Sequence, residues 1–166
     1  MTIEYIPNKG FNFENLSFVW GQNRSEIREK LNHKHIEDDR IIEMADFFEG
    51  DTSFDIKQIR DIYQNLNNNE NYFFLNYDED NKLSDLEVHG GIDIKIKNIK
   101  LIFEIDIDNC INLLKSIDEY YTEIEDGNFL FPNLKMTIAS SESMGGDGSG
   151  LSYFYASKEI EHLLEQ

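Results

Sequence analysis

The fold is decided by residues 92–117, which read IDIKIKNIKLIFEIDIDNCINLLKSI. Apolar and polar residues alternate from Ile92 to Ile107, which is the period of a half-buried strand. The apolar parity changes at residues 97–98, where a continuous strand would turn half of its apolar side chains to solvent. We therefore predict a tight turn or a bulge at Lys97 and Asn98, with a strand on either side.

A helix is predicted directly after these strands. Asp106 or Asp108 can cap its first turn, where a carboxylate accepts from free backbone N–H groups. Apolar residues then recur at helical spacing and form one stripe. This stripe consists of Ile107, Cys110, Ile111, Leu114 and Ile117. We expect it to face a sheet.

The N-terminal part of the chain has the same two kinds of pattern. The aromatic residues 11–20 predict a strand that ends at Gly21. Asn23 and Glu26 have the spacing of a capping box, which predicts a short helix that ends near Asn32.

Most of the remaining chain alternates as strands do. Runs of apolar and β-branched residues separated by Asn-, Asp- and Gly-rich turns predict strands. They lie at residues 59–66, 72–77, 83–88, 120–124, 129–131, 134–138 and 151–155. A short helix capped by Ser157 is predicted over residues 157–164.

Residues 33–55 allow two interpretations. A helix would explain the spacing of Ile41, Met44, Ala45 and Phe48, whereas the acids and Gly50 fit a partly ordered excursion equally well.

These elements predict an α+β fold, an antiparallel sheet with short helices on one face. We expect one domain over residues 1–166. Its order of helix then strands occurs twice, which suggests a pseudo-repeat of residues 11–105 and 106–166 without residue identity between the halves.

The charge of the chain excludes one large class of function. Fifteen Lys and Arg stand against 33 Asp and Glu, a net charge of −18. A nucleic-acid binder needs a basic face for phosphates, so we expect no nucleic-acid partner. No apolar run reaches the ~20 residues of a bilayer span and no secretory signal follows Met1, so we expect a soluble, cytoplasmic protein without membrane contact.

The sequence offers no complete metal site. Asp78, Asp80 and Lys82 resemble the start of a calcium loop, but Leu83 and His89 stand where that loop needs Gly and Glu. We interpret these residues as a hairpin turn.

Two further groups contain side chains of the types that bind metals. Glu104, Asp106 and Asp108 suit a strand surface followed by a helix N-terminus. His33 and His35 lack the third ligand that zinc requires. We expect no metal and no cofactor.

No catalytic constellation is recognisable either. Cys110, the single cysteine, lies on the apolar stripe, where a thiol stays protonated and unreactive; alone it also excludes an internal disulfide. The glycine-rich residues 145–150 lack the Lys of a phosphate-binding loop and carry Asp147, which would repel phosphate. We expect a binding protein rather than an enzyme.

Two stretches of the first half resemble known bacterial proteins. Residues 18–31 read FVWGQNRSEIREKL, and residues 72–83 read YFFLNYDEDNKL before a strand at residues 86–88. They are similar to small bacterial proteins with a strand, a Gly, an "R-x-E-[IV]-R-x-x-L" helix and a "Y-D-E-D-x-K" hairpin. Some of these look like immunity proteins of polymorphic or contact-dependent toxin systems. The usual "G-[ML]-[ST]" before the helix is here GQN, at residues 21–23.

The order of helices and strands also resembles the beta-lactamase inhibitor protein, whose tandem units form a protein-binding surface. Both resemblances imply a stoichiometric inhibitor of a protein partner such as a basic nuclease toxin. The alternative is a ligand- or calcium-binding module, or a non-catalytic subunit of a larger assembly.

A contact surface is predicted in the C-terminal part, because residues 101–166 have a net charge of −10. Residues 118–126 combine acids that steer a basic partner with tyrosines that can be buried on binding. Alternation alone would instead send Tyr121 outward and Tyr120 inward. The predicted partner-binding residues are Glu119, Tyr121, Glu123, Glu125 and Asp126, together with Asp78 and Asp80 of the hairpin turn.

Overall fold

The computed structural model describes residues 1–44, 53, 55–68 and 70–164. Its strands, in chain order, are β1 (Thr2–Ile6), β2 (Gly10–Phe13), β3 (Leu16–Val19), β4 (Ile36–Glu37), β5 (Arg40–Ile42), β6 (Ile56–Gln58), β7 (Arg60–Gln64), β8 (Tyr72–Tyr77), β9 (Leu83–Gly90), β10 (Asp93–Ile96), β11 (Ile99–Leu101), β12 (Thr122–Glu125), β13 (Asn128–Phe131), β14 (Met136–Ser140) and β15 (Leu151–Ser157). The helices are α1 (Arg24–Leu31), α2 (Ile107–Lys115) and α3 (Glu161–Leu164). The predicted α+β class is therefore confirmed in its coarse form, with strands dominant.

A five-stranded sheet has the order β11-β10-β1-β2-β3. Its central pair is parallel, with Ile3 opposite Ile94 and Tyr5 opposite Ile96. The expectation of a purely antiparallel sheet is wrong at this pair. A parallel pair needs a long crossover between its strands, and here four strands of the second sheet, β4 and β7 to β9, lie between them, so no local pattern signals the pairing.

An eight-stranded antiparallel sheet has the order β12-β13-β14-β15-β9-β8-β7-β4. A separate two-stranded ribbon joins β5 and β6. The strands that follow α1 are divided among these sheets, because β10 and β11 join the five-stranded sheet and β7 to β9 join the eight-stranded one.

The two large sheets share one buried cluster. Tyr5 of β1 donates to the carbonyl of Leu134 at 2.6 Å and meets Phe154 of β15 edge to face. Phe13 of β2 contacts Phe73 of β8, with ring centroids 5.7 Å apart. Both α1 and α2 add apolar residues to this cluster, beside β3 and β11 respectively. The expectation that helices cover one sheet face is thus incomplete, since a second sheet packs there too.

The stretch at residues 92–117 forms most of the predicted elements. Lys97 has a φ of 52°, and the turn after it separates β10 from β11 as the parity change requires. Asp106 caps α2 by accepting from the N–H of Asp108. The second strand ends at Leu101, however, and Ile105 is 45% exposed, because the chain leaves the sheet before α2 begins.

The first helix begins at the predicted N-cap residue, Asn23, but without the predicted capping box. Asn23 makes no side-chain hydrogen bond to the backbone of α1, and its amide donates to Glu26 at 3.1 Å. The helix ends as predicted, with Asn32 in the left-handed conformation at φ 46°. Ile27 and Leu31, which lie one helical turn apart, are buried and attach the helix to the core.

The described part of residues 33–55 contains two short strands, β4 and β5. Ile41 lies in β5, so a helix through this residue is wrong. Ala45 and Phe48, the other end of that helical spacing, lie outside the described residues. Near the C-terminus, α3 is shorter than predicted, and Ser157 instead accepts from the N–H of Glu159 at the end of β15. None of the helices in the described ranges is long and apolar enough to cross a membrane.

Candidate functional site

The strongest candidate is the face of the eight-stranded sheet that points away from the shared core. We call it the outer face and define it by side chains from the three central strands β8, β9 and β15. These are Tyr72, Phe74, Asn76, Asp85, Glu87, His89, Tyr153 and Tyr155. Strand alternation places them opposite the core residues of the same strands.

Two tyrosine–carboxylate hydrogen bonds cross from β15 to β9. The hydroxyl of Tyr153 donates to Glu87 at 3.1 Å, and that of Tyr155 donates to Asp85 at 2.8 Å. Tyr155 lies directly opposite Glu87 in the register, so both bonds run diagonally and in the same direction. This repeated geometry fixes both rings and both carboxylates before any partner binds.

Glu87 is the centre of this arrangement, with a side chain only 17% exposed. The Asn76 amide donates to it at 2.6 Å, and His89 Nε2 lies 3.4 Å from its Oε2. Burial by itself raises the pKa of Glu87, but the contacts with His89, Asn76 and Tyr153 outweigh burial and hold that pKa below its usual value. Glu87 is therefore a stably ionised, pre-oriented carboxylate.

An aromatic strip continues from these carboxylates. The His89 ring lies 4.5 Å from Phe74, 5.1 Å from Tyr153 and 5.4 Å from Tyr72, measured between ring centroids. The Arg60 guanidinium lies over the Phe74 ring at 4.5 Å. Burial is the largest of the effects that raise the pKa of Tyr153 and of Tyr155, so both hydroxyls stay protonated and can donate.

This composition differs from that of an ordinary solvated strand face. Solvated faces are rich in Lys and Glu, whereas the central strands here present tyrosine, histidine, phenylalanine and hydrogen-bonded acids. Three small or apolar neighbours on the adjacent strands, Leu130, Thr137 and Ala139, are buried too, although they lie outside the main core cluster. What the outer face offers a partner is therefore its half-buried tyrosine rings and the carboxylates that they hold.

The predicted partner-binding residues lie elsewhere and do not form one patch. Glu119, Glu123, Glu125 and Asp126 are exposed and belong to β12 or its flanks, at one edge of the eight-stranded sheet. The two acids of the hairpin turn lie just before β9. This strand is four strands from β12, which is about 19 Å across the sheet. Whether either group contacts a partner stays a prediction.

Asp78 and Asp80 form the turn between β8 and β9, as the hairpin interpretation predicts. Asp78 Oδ1 accepts from the N–H groups of Asp80 and Lys82, at 3.0 and 2.9 Å. That carboxylate oxygen is engaged by the turn itself.

The orientation of the two neighbouring tyrosines reverses the alternation expected for them. Tyr121 stacks on Phe131 at 5.4 Å and receives the Lys115 ammonium over its ring at 4.8 Å, whereas Tyr120 is 64% exposed. The reason is that β12 begins only at Thr122. Tyr121 therefore lies before the strand, and its side chain packs against the core instead of obeying strand alternation.

A second polar cluster joins α1 to β7 and is centred on a buried carboxylate. Asp61 is completely buried and accepts from Arg24 at 2.6 Å, from Arg28 at 2.6 Å and from the Tyr77 hydroxyl at 3.2 Å. Burial raises the pKa of Asp61, but the hydrogen bonds from the two arginines outweigh it and lower that pKa overall. Asp39 binds Arg24 through both of its oxygens.

One group of potential metal ligands adjoins this cluster. His35, Glu37 and Asp61 offer ligand atoms within 4.8 Å of one another. Two guanidinium groups already bind Asp61 and one binds Glu37, so a cation here would meet two positive charges. The cluster is better suited to holding α1 on the sheet than to holding a metal.

Cys110 occupies the position that the apolar stripe predicts. It is buried, and burial raises the pKa of its thiol to about 11, so the reactive thiolate is scarce near neutral pH.

Sequence reasoning missed the outer face and the Asp61 cluster, although each leaves a trace. Asp85, Glu87 and His89 alternate with apolar residues, which places them on one face of a strand. Asp61 occurs at the apolar parity of its strand, beside Tyr63, which marks a buried charge. Comparison with known proteins finds no matching family model, and no curated protein or solved structure reaches significant similarity to the chain.

Proposed function

We propose that the chain is an acidic protein-binding module, an immunity-type inhibitor that neutralises a toxin by covering its active surface. The outer face is the observation that carries the binding part of this proposal. Its rigid tyrosines resemble the anchors that dominate protein interfaces, and they cost little conformational entropy to bury because their hydroxyls are already held.

The charge of the chain supports a basic partner. A net charge of −18 produces a field that attracts a positively charged surface and speeds its diffusional approach. A nuclease toxin has such a surface where it binds phosphates, and carboxylates can occupy the same positions. The step from binding to toxin inhibition rests on the resemblance of residues 18–31 and 72–83 to immunity-type proteins.

The direct test is co-expression with the product of the gene immediately upstream. We expect that product to arrest bacterial growth when expressed alone, and this chain to relieve the arrest while forming a 1:1 complex in calorimetry. A neighbouring metabolic enzyme that neither arrests growth nor binds would count against the proposal.

We predict that the double variant Tyr153→Ala with Tyr155→Ala binds this partner at least about thirtyfold more weakly, because two anchors are removed. Calorimetry gives the affinity, and circular dichroism verifies the fold. Ile41→Ala is the control, since this side chain is 65% exposed and lies in the ribbon of β5 and β6, outside both the outer face and residues 118–126. Equal affinities for the double variant and the control would show that the outer face is not the interface.

A separate prediction concerns the predicted acidic segment. Replacing Glu123, Glu125 and Asp126 with their amides is expected to slow association without changing folding, because all three are exposed and act through the long-range field. Stopped-flow association should also slow for the parent as salt rises, since charges are screened beyond ~8 to 10 Å. If the amide variant and the parent associate at the same, salt-independent rate, steering by this segment is wrong.

A further inference from the structure

We infer that the groove at the end of the outer face binds an extended, arginine-containing segment of the protein partner. The inference rests on the proposed function and adds the chemistry of the bound segment. We call this feature the end groove. Two adjoining clefts, of roughly 430 and 560 Å³, share Gly90, Gly91 and Glu104 and together form it.

Two of the residues that line the end groove are glycines packed closely against neighbouring backbone. Gly91 packs so closely that a Cβ there would lie 1.6 Å from the carbonyl oxygen of Glu70. Gly150 is similarly placed, and a Cβ on it would lie 2.9 Å from the carbonyl oxygen of Glu104. Because only glycine permits these approaches, four chain segments, around residues 70, 91, 104 and 150, pack closely at the end groove.

Backbone hydrogen bonds fix one side of the end groove. The N–H of Glu104 donates to the carbonyl of Leu151 at 2.9 Å, and the N–H of Leu151 donates to the carbonyl of Ile105 at 2.8 Å. The N–H of Ile107 donates to Ser149 at 2.9 Å. The end groove is therefore pre-formed, which lowers the entropy cost of binding an extended chain.

The walls combine aromatic rings with negative charge. Tyr72 and His89, which belong to the aromatic strip of the outer face, line the end groove together with Phe103. Its acidic side chains are Glu70, Glu104 and Asp147, all exposed. Neither cleft has a lysine or arginine among the lining residues of the described chain.

Arginine is the side chain that fits both features of these walls. Its guanidinium stacks on aromatic faces and binds carboxylates through two parallel hydrogen bonds. An acidic or phosphorylated segment would be repelled, and an apolar one would leave the carboxylates without partners. Continuity with the outer face through Tyr72 and His89 lets one partner occupy both surfaces.

The test uses the full chain labelled with ¹⁵N and the peptide acetyl-Gly-Arg-Gly-Arg-Gly-amide at low salt. We expect saturable shifts of the Gly90, Gly91 and Gly150 amide signals, and no such shifts with the same peptide carrying citrulline in place of arginine. Combining Glu104→Gln with Asp147→Asn should weaken binding about three- to tenfold, since each exposed pair contributes modestly. The matched control combines Glu29→Gln with Glu161→Gln, which removes the same charge from exposed positions outside the end groove.

A steric variant makes the test independent of charge. Ser152 lines the end groove, and Ser152→Trp should fill it and abolish the peptide-induced shifts, while the rest of the spectrum stays that of a folded protein.

Three results would each overturn the inference: shifts centred on Asp85 and Tyr155, equal binding of the citrulline peptide, or equal weakening in the control pair. A partner that depends on Tyr153 and Tyr155 but binds the Glu104 and Asp147 variant normally would leave the proposed function standing and remove only this inference.

Discussion

Replacing Asp61 with asparagine is expected to lower the free energy of unfolding by about 3–5 kcal/mol, which is the usual cost of breaking a buried ion pair from one side. Asp61 is completely buried and forms ion pairs with two guanidinium groups, of which that of Arg24 is only 7% exposed. Without the carboxylate, α1 retains two charges with too few partners inside the protein. Urea denaturation monitored by circular dichroism measures the change.

The matched control is Glu37→Gln, which removes an acid that also binds Arg28 but is 55% exposed. Solvent screens this pair, so we expect a loss below about 1 kcal/mol. Equal effects of the two substitutions would mean that burial does not strengthen the Asp61 cluster.

The Asp61 effect should also depend on pH in a defined direction. The folded state lowers the pKa of Asp61, so its stabilisation is fully present above the ordinary aspartate pKa of about 3.9 and is lost as pH falls through the lower, folded value. The difference in unfolding free energy between the parent and Asp61→Asn should therefore be constant near neutral pH and shrink below about pH 4. Taking the difference removes the general effect of neutralising a chain of net charge −18. A difference that grows on acidification would contradict the ion-pair explanation.

Leu114→Ala is expected to lower the free energy of unfolding by about 2–5 kcal/mol, because it leaves a cavity in the core that the surrounding side chains fill only in part. Leu114 is completely buried in the cluster shared by both sheets. Its neighbour Leu113, on the same helix and 42% exposed, provides the control. We expect Leu113→Ala to change stability by less than about half a kcal/mol, and similar losses in the two variants would mean that α2 does not pack through its apolar stripe.

Several elements could be predicted because their signals are local. The parity change at residues 97–98 required a turn, and the structure has one, with Lys97 in the left-handed conformation. The apolar stripe of α2 is buried at Ile107, Cys110, Ile111 and Leu114, as helical spacing requires. Strand alternation and helical spacing depend only on neighbours in sequence, so reading them needs no knowledge of the fold.

Tertiary structure was needed wherever a feature joins distant segments. The parallel pairing of β1 with β10, the presence of two sheets rather than one, and the burial of Asp61 against Arg24 all depend on contacts that no local pattern encodes.

The candidate site divides in the same way. Alternation within β9 and within β15 predicts polar residues on one face of each strand, the order of helical and alternating segments predicts the α+β class, and composition alone sets the strong negative charge. Only the pairing of β15 with β9 brings Tyr153 to Glu87, and only the close approach of Gly91 to residue 70 and of Gly150 to residue 104 forms the end groove. The physical reason is that side-chain period is a property of one strand, whereas a binding surface depends on which strands become neighbours, and that choice is made by the packing of the whole core.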